Sequence, residues 1–80
     1  MKLSFVIPAW NEEVLLASTI NSIQQSAKEY DFEIIVADDA SDDRTSEIGK
    51  ELGAIVVSCN NRQIGLTRND GAAVATGDIL

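Results

Sequence analysis

Three short runs of apolar, mostly β-branched residues constrain the fold of this chain most, because segments long enough for helices separate them. The runs are 3–7 (LSFVI), 33–37 (EIIVA) and 54–58 (AIVVS). Near-continuous apolarity of this length is typical of strands covered on both faces, as in a parallel sheet. The alternation predicts right-handed strand–helix–strand units in a doubly wound α/β sheet, with a ligand site at the carboxyl ends of the strands.

The segment between the first two runs carries the clearest helical pattern. Asn11 is predicted to be its N-cap, with Glu12 and Glu13 in the first turn. Its apolar face consists of Leu16, Ile20, Ile23 and Ala27. This spacing places one side of the helix against the sheet.

Two further helices are predicted from weaker patterns. The second begins after a cap at Asp42 or Asp43, its apolar stripe is Thr45, Ile48 and Leu52, and Gly53 stands just past its end, where a left-handed residue is wanted. The third covers residues 64–75 and stops at Gly77, so that 78–80 begin a fourth strand. The chain therefore contains three βα units and the start of a fourth strand.

The length of 80 residues is small for such a sheet. Three strands and the start of a fourth leave sheet edges and helix faces uncovered, which reduces apolar burial. We therefore expect residues 1–80 to be the N-terminal part of a larger domain, incomplete at the C-terminus, and the remainder of that domain to be its first partner.

Composition excludes several classes of function. The net charge of −7, from 6 basic and 13 acidic residues, argues against nucleic acid as a partner. The chain has no histidine and one cysteine, Cys59, so it can form neither an internal disulfide nor a Cys/His metal site. No apolar stretch approaches the roughly 18–20 residues of a membrane span. A cytoplasmic location is expected, and attachment to the inner face of a membrane through other segments stays open.

Common nucleotide-binding motifs are missing. The first strand is followed by 8–13 (PAWNEE), which has no glycine, whereas a dinucleotide-binding fold needs G-x-G-x-x-G there. No P-loop sequence occurs either. A flavodoxin-like receiver domain would need an acidic pair after the first strand and an acceptor aspartate after the third. Pro8-Ala9 and Cys59-Asn60 stand in those places.

Three motifs in order resemble the start of the family 2 glycosyltransferases of the GT-A fold. The first is an apolar strand followed by Pro-x-aromatic-Asn-Glu-Glu, at 5–13 (FVIPAWNEE). The second is an apolar strand followed by Asp-Asp-Gly/Ala-Ser-x-Asp-x-Thr, at 34–45 (IIVADDASDDRT). The third is Asn-x-Gly-x-x-x-Ala-Arg-Asn-x-Gly and then Ala-x-Gly-Asp, at 61–71 (NRQIGLTRNDG) and 75–78 (ATGD). Gln63 and Thr67 depart from the third pattern, which bears on the shape of that loop.

The resemblance implies a Rossmann-like (GT-A), mainly parallel sheet and an enzyme that transfers a sugar from a nucleoside diphosphate sugar donor to an acceptor hydroxyl. In similar enzymes these motifs hold the nucleotide of the donor. The nucleotide-binding residues implied here are Pro8, Ala9, Trp10, Glu12, Asp38, Asp39 and Arg68. Their chemistry agrees, since a carboxylate can accept a hydrogen bond from a base ring N–H and an aromatic ring can cover a base.

The resemblance also implies a divalent cation, Mg²⁺ or Mn²⁺, at the diphosphate. The Asp-x-Asp that binds it in similar enzymes follows the fourth strand, so the metal ligands are expected beyond Leu80. Residues 1–80 then contain no catalytic or metal-binding residue and are expected to be inactive alone. The acceptor, the donor sugar and its base stay open. The competing interpretation is a non-catalytic nucleotide-binding or structural α/β module.

Several of these residues also have a purely structural interpretation. Asp38 and Asp39 could cap the following helix, and Trp10 could be a hydrophobic staple at a helix start. Arg68 could be a solvated helix residue. Gly65 and Gly71 are expected to permit close approach of helix to strand or loop.

Overall fold

The computed structural model describes residues 1–80 as one four-stranded sheet with three helices. The strands are β1 (Lys2–Ala9), β2 (Asp31–Asp39), β3 (Ile55–Cys59) and β4 (Asp78–Ile79). The helices are α1 (Leu16–Ser26), α2 (Thr45–Glu51) and α3 (Ile64–Ala72). All pairs are parallel and the strand order is β3-β2-β1-β4. This order confirms the predicted doubly wound parallel sheet.

Strand β2 lies at the centre of the core because the side chains of both its faces are covered. Ile34 and Val36 join Leu16 and Ile20 of α1 in one apolar cluster. The neighbouring residues of β2 point to the other face, toward α3. Period-2 alternation between two helical layers therefore explains why β2 is apolar at consecutive positions, as the sequence indicated.

Helix α1 has the predicted apolar face but not the predicted start. Leu16, Ile20 and Ala27 are buried, as expected. The helix begins at Leu16 rather than after Asn11, and no side chain caps it. Asn11 adopts a left-handed backbone with φ of 49°, which cannot continue into a helix. The cap prediction was wrong because the polar groups of Asn11 bind the loop after β2 instead.

The two other helices are also shorter than predicted. Arg44, not Asp42 or Asp43, is the N-cap residue of α2, although the Asp43 carboxylate accepts a hydrogen bond from the Thr45 amide at 3.0 Å. Gly53 follows the C-cap residue Leu52 with a φ of 87°, which confirms the left-handed residue predicted just past the helix end. Helix α3 ends at Ala72, before the predicted 75, because the Val74 and Ala75 amides bond carbonyls three residues back.

Glycines at two positions allow close packing. A Cβ on Gly71 would lie 2.7 Å from Val6 Cγ1, so glycine lets α3 approach the sheet. A Cβ on Gly77 would lie 2.5 Å from the Lys2 carbonyl oxygen. The expectation of close approach is therefore confirmed for Gly71 and wrong for Gly65, where nothing lies within 4 Å of the added atom.

Glu33 ties β2 to the segment between α3 and β4. Its Oε2 accepts hydrogen bonds from the Thr76 amide at 2.7 Å, the Ser4 hydroxyl at 2.7 Å and the Thr76 hydroxyl at 3.1 Å. The Thr76 amide, followed by the Ser4 hydroxyl, lowers the pKa of Glu33 from 4.5 to about 2. The lowered pKa means that this carboxylate stabilises the folded state when it is ionised.

We expect Glu33→Gln to lower stability at neutral pH and to matter less in acid. The folded-state pKa is below the unfolded one, so the contribution of the wild-type carboxylate is fully present above pH 4.5 and is lost as the pH falls toward about 2. Urea unfolding of the full-length protein at pH 7 and at pH 3 measures this. The exposed Glu29→Gln is the control. A Glu33→Gln deficit that does not shrink in acid would contradict the assignment.

Candidate functional site

A cavity of about 850 Å³ opens at the carboxyl ends of β1, β2 and β3. Its volume lies within the range of small-molecule sites, about 300–1,000 Å³. Three loops line it, one after each of these strands. The position agrees with the rule that ligands of doubly wound sheets bind beyond the strand ends.

The end of β1 and the loop after it contribute Pro8, Ala9, Trp10 and Glu12 to the cavity wall. All four were predicted as site residues. The Trp10 side chain is 61% exposed, although it is large and apolar. A hydrophobic staple would be covered by the helix that it fixes, so the exposure argues against that interpretation. The ring is free to cover a flat ligand.

Hydrogen bonds between side chains and backbone join the first loop to the segment after β2. The Asn11 amide donates to Ser41 Oγ at 2.8 Å, and Asn11 Oδ1 accepts from the Asp42 amide at 2.9 Å. The Glu12 amide donates to the buried Thr45 Oγ1 at 2.8 Å. These bonds satisfy the amides that precede α1 and fix the two loops relative to each other.

The two aspartates at the end of β2 make different contacts. Asp39 lines the cavity, and its two carboxylate oxygens accept hydrogen bonds from the Asn61 amide at 2.6 Å and the Arg62 amide at 2.9 Å. Asp38 is 6% exposed and lies outside the cavity wall. Its Oδ1 accepts from the Ser41 amide at 3.2 Å, which closes the turn after β2. Neither residue caps α2.

The third loop and the first turns of α3 supply wall residues that were not among the predicted site residues. They are Asn60, Arg62, Gln63, Ile64 and Thr67. Arg68, the arginine of the third motif, lies exposed on α3 and is not part of the wall. The motif could not have indicated Arg62, because it stands at a position that the family pattern leaves free.

Each of the three loops contains one non-glycine residue with a left-handed backbone. These are Asn11 (φ 49°), Ala40 (φ 53°) and Arg62 (φ 54°). Asparagine tolerates this conformation, whereas alanine and arginine adopt it rarely. Such residues persist where the surroundings fix the backbone, and they concentrate at functional sites.

Three of the four charged residues in the cavity wall are acidic. Glu12, Asp39 and Asp42 carry carboxylates, and Arg62 is the single cation. No three acidic or cysteine side chains come together in a group that could hold a metal ion. Both oxygens of Asp39 already accept backbone amides.

Cys59, at the end of β3, is a free thiol that does not line the cavity. Burial, followed by the negative charge of Asp70, raises the pKa of Cys59. The thiol therefore stays protonated at neutral pH, which leaves it a poor nucleophile.

None of the three helices combines the length and apolarity that a membrane crossing requires.

The chain is similar in sequence to a known protein family and to several individual proteins. The sequence model of the family described as glycosyl transferase family 2 matches residues 4–80. An uncharacterized Methanocaldococcus jannaschii protein, MJ1222, is 43% identical over 72 residues, which are 90% of this chain and 26% of that protein. The poly(ribitol-phosphate) beta-glucosyltransferase of Bacillus spizizenii is 34% identical over 88 residues, covering 100% of this chain and 14% of that enzyme.

Among solved structures, glucosyl-3-phosphoglycerate synthase from Mycobacterium tuberculosis, in complex with Mn²⁺, UDP and glucosyl-3-phosphoglycerate, superposes with a TM-score of 0.81. Its sequence is 31% identical, and the match covers 99% of this chain and 32% of that structure. The chain thus spans about a third or less of the length of each of these proteins.

Proposed function

The chain belongs to glycosyl transferase family 2, and from that premise we propose that residues 1–80 are the N-terminal, nucleotide-binding part of a larger glycosyltransferase domain. The enzyme transfers a sugar from a nucleoside diphosphate sugar to an acceptor hydroxyl. The observation that carries this proposal is the cavity at the strand ends, whose wall contains Trp10, Glu12 and Asp39 of the first two motifs.

The chemistry of these side chains suits a nucleoside. The exposed face of Trp10 can stack on or wall in a base. Each Asp39 oxygen accepts one backbone amide and retains a further lone pair, which can accept a ring N–H of the base. Glu12 lines the same wall as Trp10 and Asp39, and its carboxylate can accept a hydrogen bond from a ribose hydroxyl. Pro8 and Ala9 complete the wall on the β1 side.

Two of the predicted residues lie outside the wall. We assign Asp38 to holding the turn that presents Asp39, because it is buried and bonded to the Ser41 amide. Arg68 stays a predicted nucleotide-binding residue, and contact with the nucleotide would need its side chain to reach over from the exposed side of α3.

The cation belongs to the same proposal. A diphosphate brings negative charge to a wall with three carboxylates and one arginine. A bound Mg²⁺ or Mn²⁺ would neutralise part of that charge. Because no group of ligands forms among residues 1–80, we propose that the metal ligands lie beyond Leu80. The structure of the Mycobacterium tuberculosis relative contains both Mn²⁺ and UDP, which makes them the first pair to test.

We expect the full-length protein to bind UDP at least about tenfold more weakly when a chelator removes the cation, a change of about 1.4 kcal/mol. Uridine has no phosphate, so its affinity should hardly change. Isothermal titration with each ligand, with Mn²⁺ and with EDTA, measures both. Equal chelator sensitivity for the two ligands, or none for UDP, would contradict the placement of the cation at the diphosphate.

A second experiment separates an enzyme from a non-catalytic binding module. It measures the release of UDP from a UDP-sugar in the presence of an acceptor.

A further inference from the structure

Arg62 is the only basic residue in the cavity wall. The other wall residues with charge are Glu12, Asp39 and Asp42. An anionic ligand that enters this cavity therefore meets one guanidinium and three carboxylates. Arg62 is not among the predicted nucleotide-binding residues, because position 62 is a free position of the third motif.

The side chain of Arg62 makes no ion pair, even with carboxylates in the same wall. Elsewhere in the chain, Arg44 pairs with Glu47 at 3.2 Å and with Glu51 at 3.0 Å. Only the main chain of Arg62 is held, since its amide donates to Asp39 Oδ2 at 2.9 Å. The five N–H donors of the guanidinium are thus available to a ligand.

The backbone that carries this side chain is fixed from two sides. The consecutive amides of Asn61 and Arg62 both point at the Asp39 carboxylate, and the Asn61 side chain donates to Asp70 Oδ2 at 2.7 Å. Successive amides next to a left-handed residue form a concave anion site, and here an internal carboxylate fills it. Asp39 is therefore a positioning residue for Arg62, in addition to its own place in the wall.

We infer that Arg62 binds the diphosphate of the donor and is the residue of this chain that distinguishes a nucleoside diphosphate from the nucleoside. The inference rests on the proposed function, because it takes the nucleotide to occupy this cavity. A guanidinium presents parallel N–H groups that match two phosphate oxygens, and charge-assisted bonds of this type are the stronger ones. Arg68 has the same guanidinium group, but it is not part of the cavity wall.

The test compares Arg62→Ala, Arg62→Gln and Arg62→Lys in the full-length protein, titrated with UDP and with uridine in the presence of Mn²⁺. Arg62→Ala and Arg62→Gln should weaken UDP binding by about ten- to hundredfold and leave uridine binding unchanged. Arg62→Lys keeps the positive charge but not the forked N–H geometry of the guanidinium, so its loss of UDP affinity should be smaller. Lys28→Ala removes one positive charge from an exposed site elsewhere and should change neither affinity.

The outcomes separate this inference from the function on which it rests. Wild-type protein that binds neither ligand overturns both. Wild-type protein that binds UDP, together with Arg62 variants that bind it equally well, overturns the inference alone. Equal losses for UDP and uridine also overturn it, because they would show that the substitution disturbs the loop and not a phosphate contact. Thermal unfolding of each variant identifies any that is misfolded, and the two neutral substitutions provide independent readings.

Discussion

Replacing Gly77 by alanine is expected to lower the free energy of unfolding by about 2–3 kcal/mol, the cost of forcing extra volume into a packed position. The new Cβ would lie 2.5 Å from the Lys2 carbonyl oxygen and 2.8 Å from its carbonyl carbon. These atoms belong to the backbone of β1, so they cannot rotate away as a side chain would. Relief requires separation of the two segments, which would break the bond from the Gly77 amide to Ser4 Oγ at 2.9 Å.

Gly65→Ala is the matched control for this substitution. Gly65 lies in α3, has no atom within 4 Å of an added Cβ, and does not have a positive φ. Alanine favours a helix over glycine by up to about 1 kcal/mol, so this variant should be slightly more stable than the wild type. Urea unfolding of both full-length variants gives the comparison. Equal stability of the two would show that β4 does not pack on β1 as described.

The second large effect concerns the ligand. Asp39→Ala should weaken nucleoside diphosphate binding by about 1.5–3 kcal/mol, the range for hydrogen bonds to a charged group. The substitution removes the acceptor that we propose for the base and also leaves the Asn61 and Arg62 amides without their partner. We therefore expect Asp39→Ala to weaken the binding of both UDP and uridine, whereas the Arg62 variants should weaken the binding of UDP alone.

Asp38→Ala is the comparison for the Asp39 result. Asp38 is buried outside the cavity wall, so its loss should reduce the unfolding temperature more than the affinity. Calorimetric titration with UDP and thermal unfolding measure the two quantities on the same samples. Unchanged UDP affinity in a folded Asp39→Ala protein would refute the contact with the nucleotide. A loss of affinity for Asp38→Ala equal to that of Asp39→Ala would refute the division of roles.

The sequence by itself determined the sheet and the edge of it at which the cavity lies. Apolar runs of strand length, separated by helical segments, have few arrangements other than parallel strands with crossover helices. Because the carboxyl ends of parallel strands meet at one edge, the loops after β1 and β2 had to come together there. The order of the three motifs then indicated the family, and the family model confirms it.

Only the tertiary structure decided which residues of those loops line the cavity. Asn11 has the side chain of an N-cap, yet partners some thirty residues away in the chain outcompete the local helix for its hydrogen bonds. Asp38 and Asp39 are chemically identical, but the pleat of β2 turns consecutive side chains to opposite faces, and only Asp39 reaches the third loop. Arg62 enters the cavity wall because that same carboxylate holds its backbone in a left-handed conformation. These choices depend on contacts between distant segments, and such contacts leave no periodic pattern in the sequence.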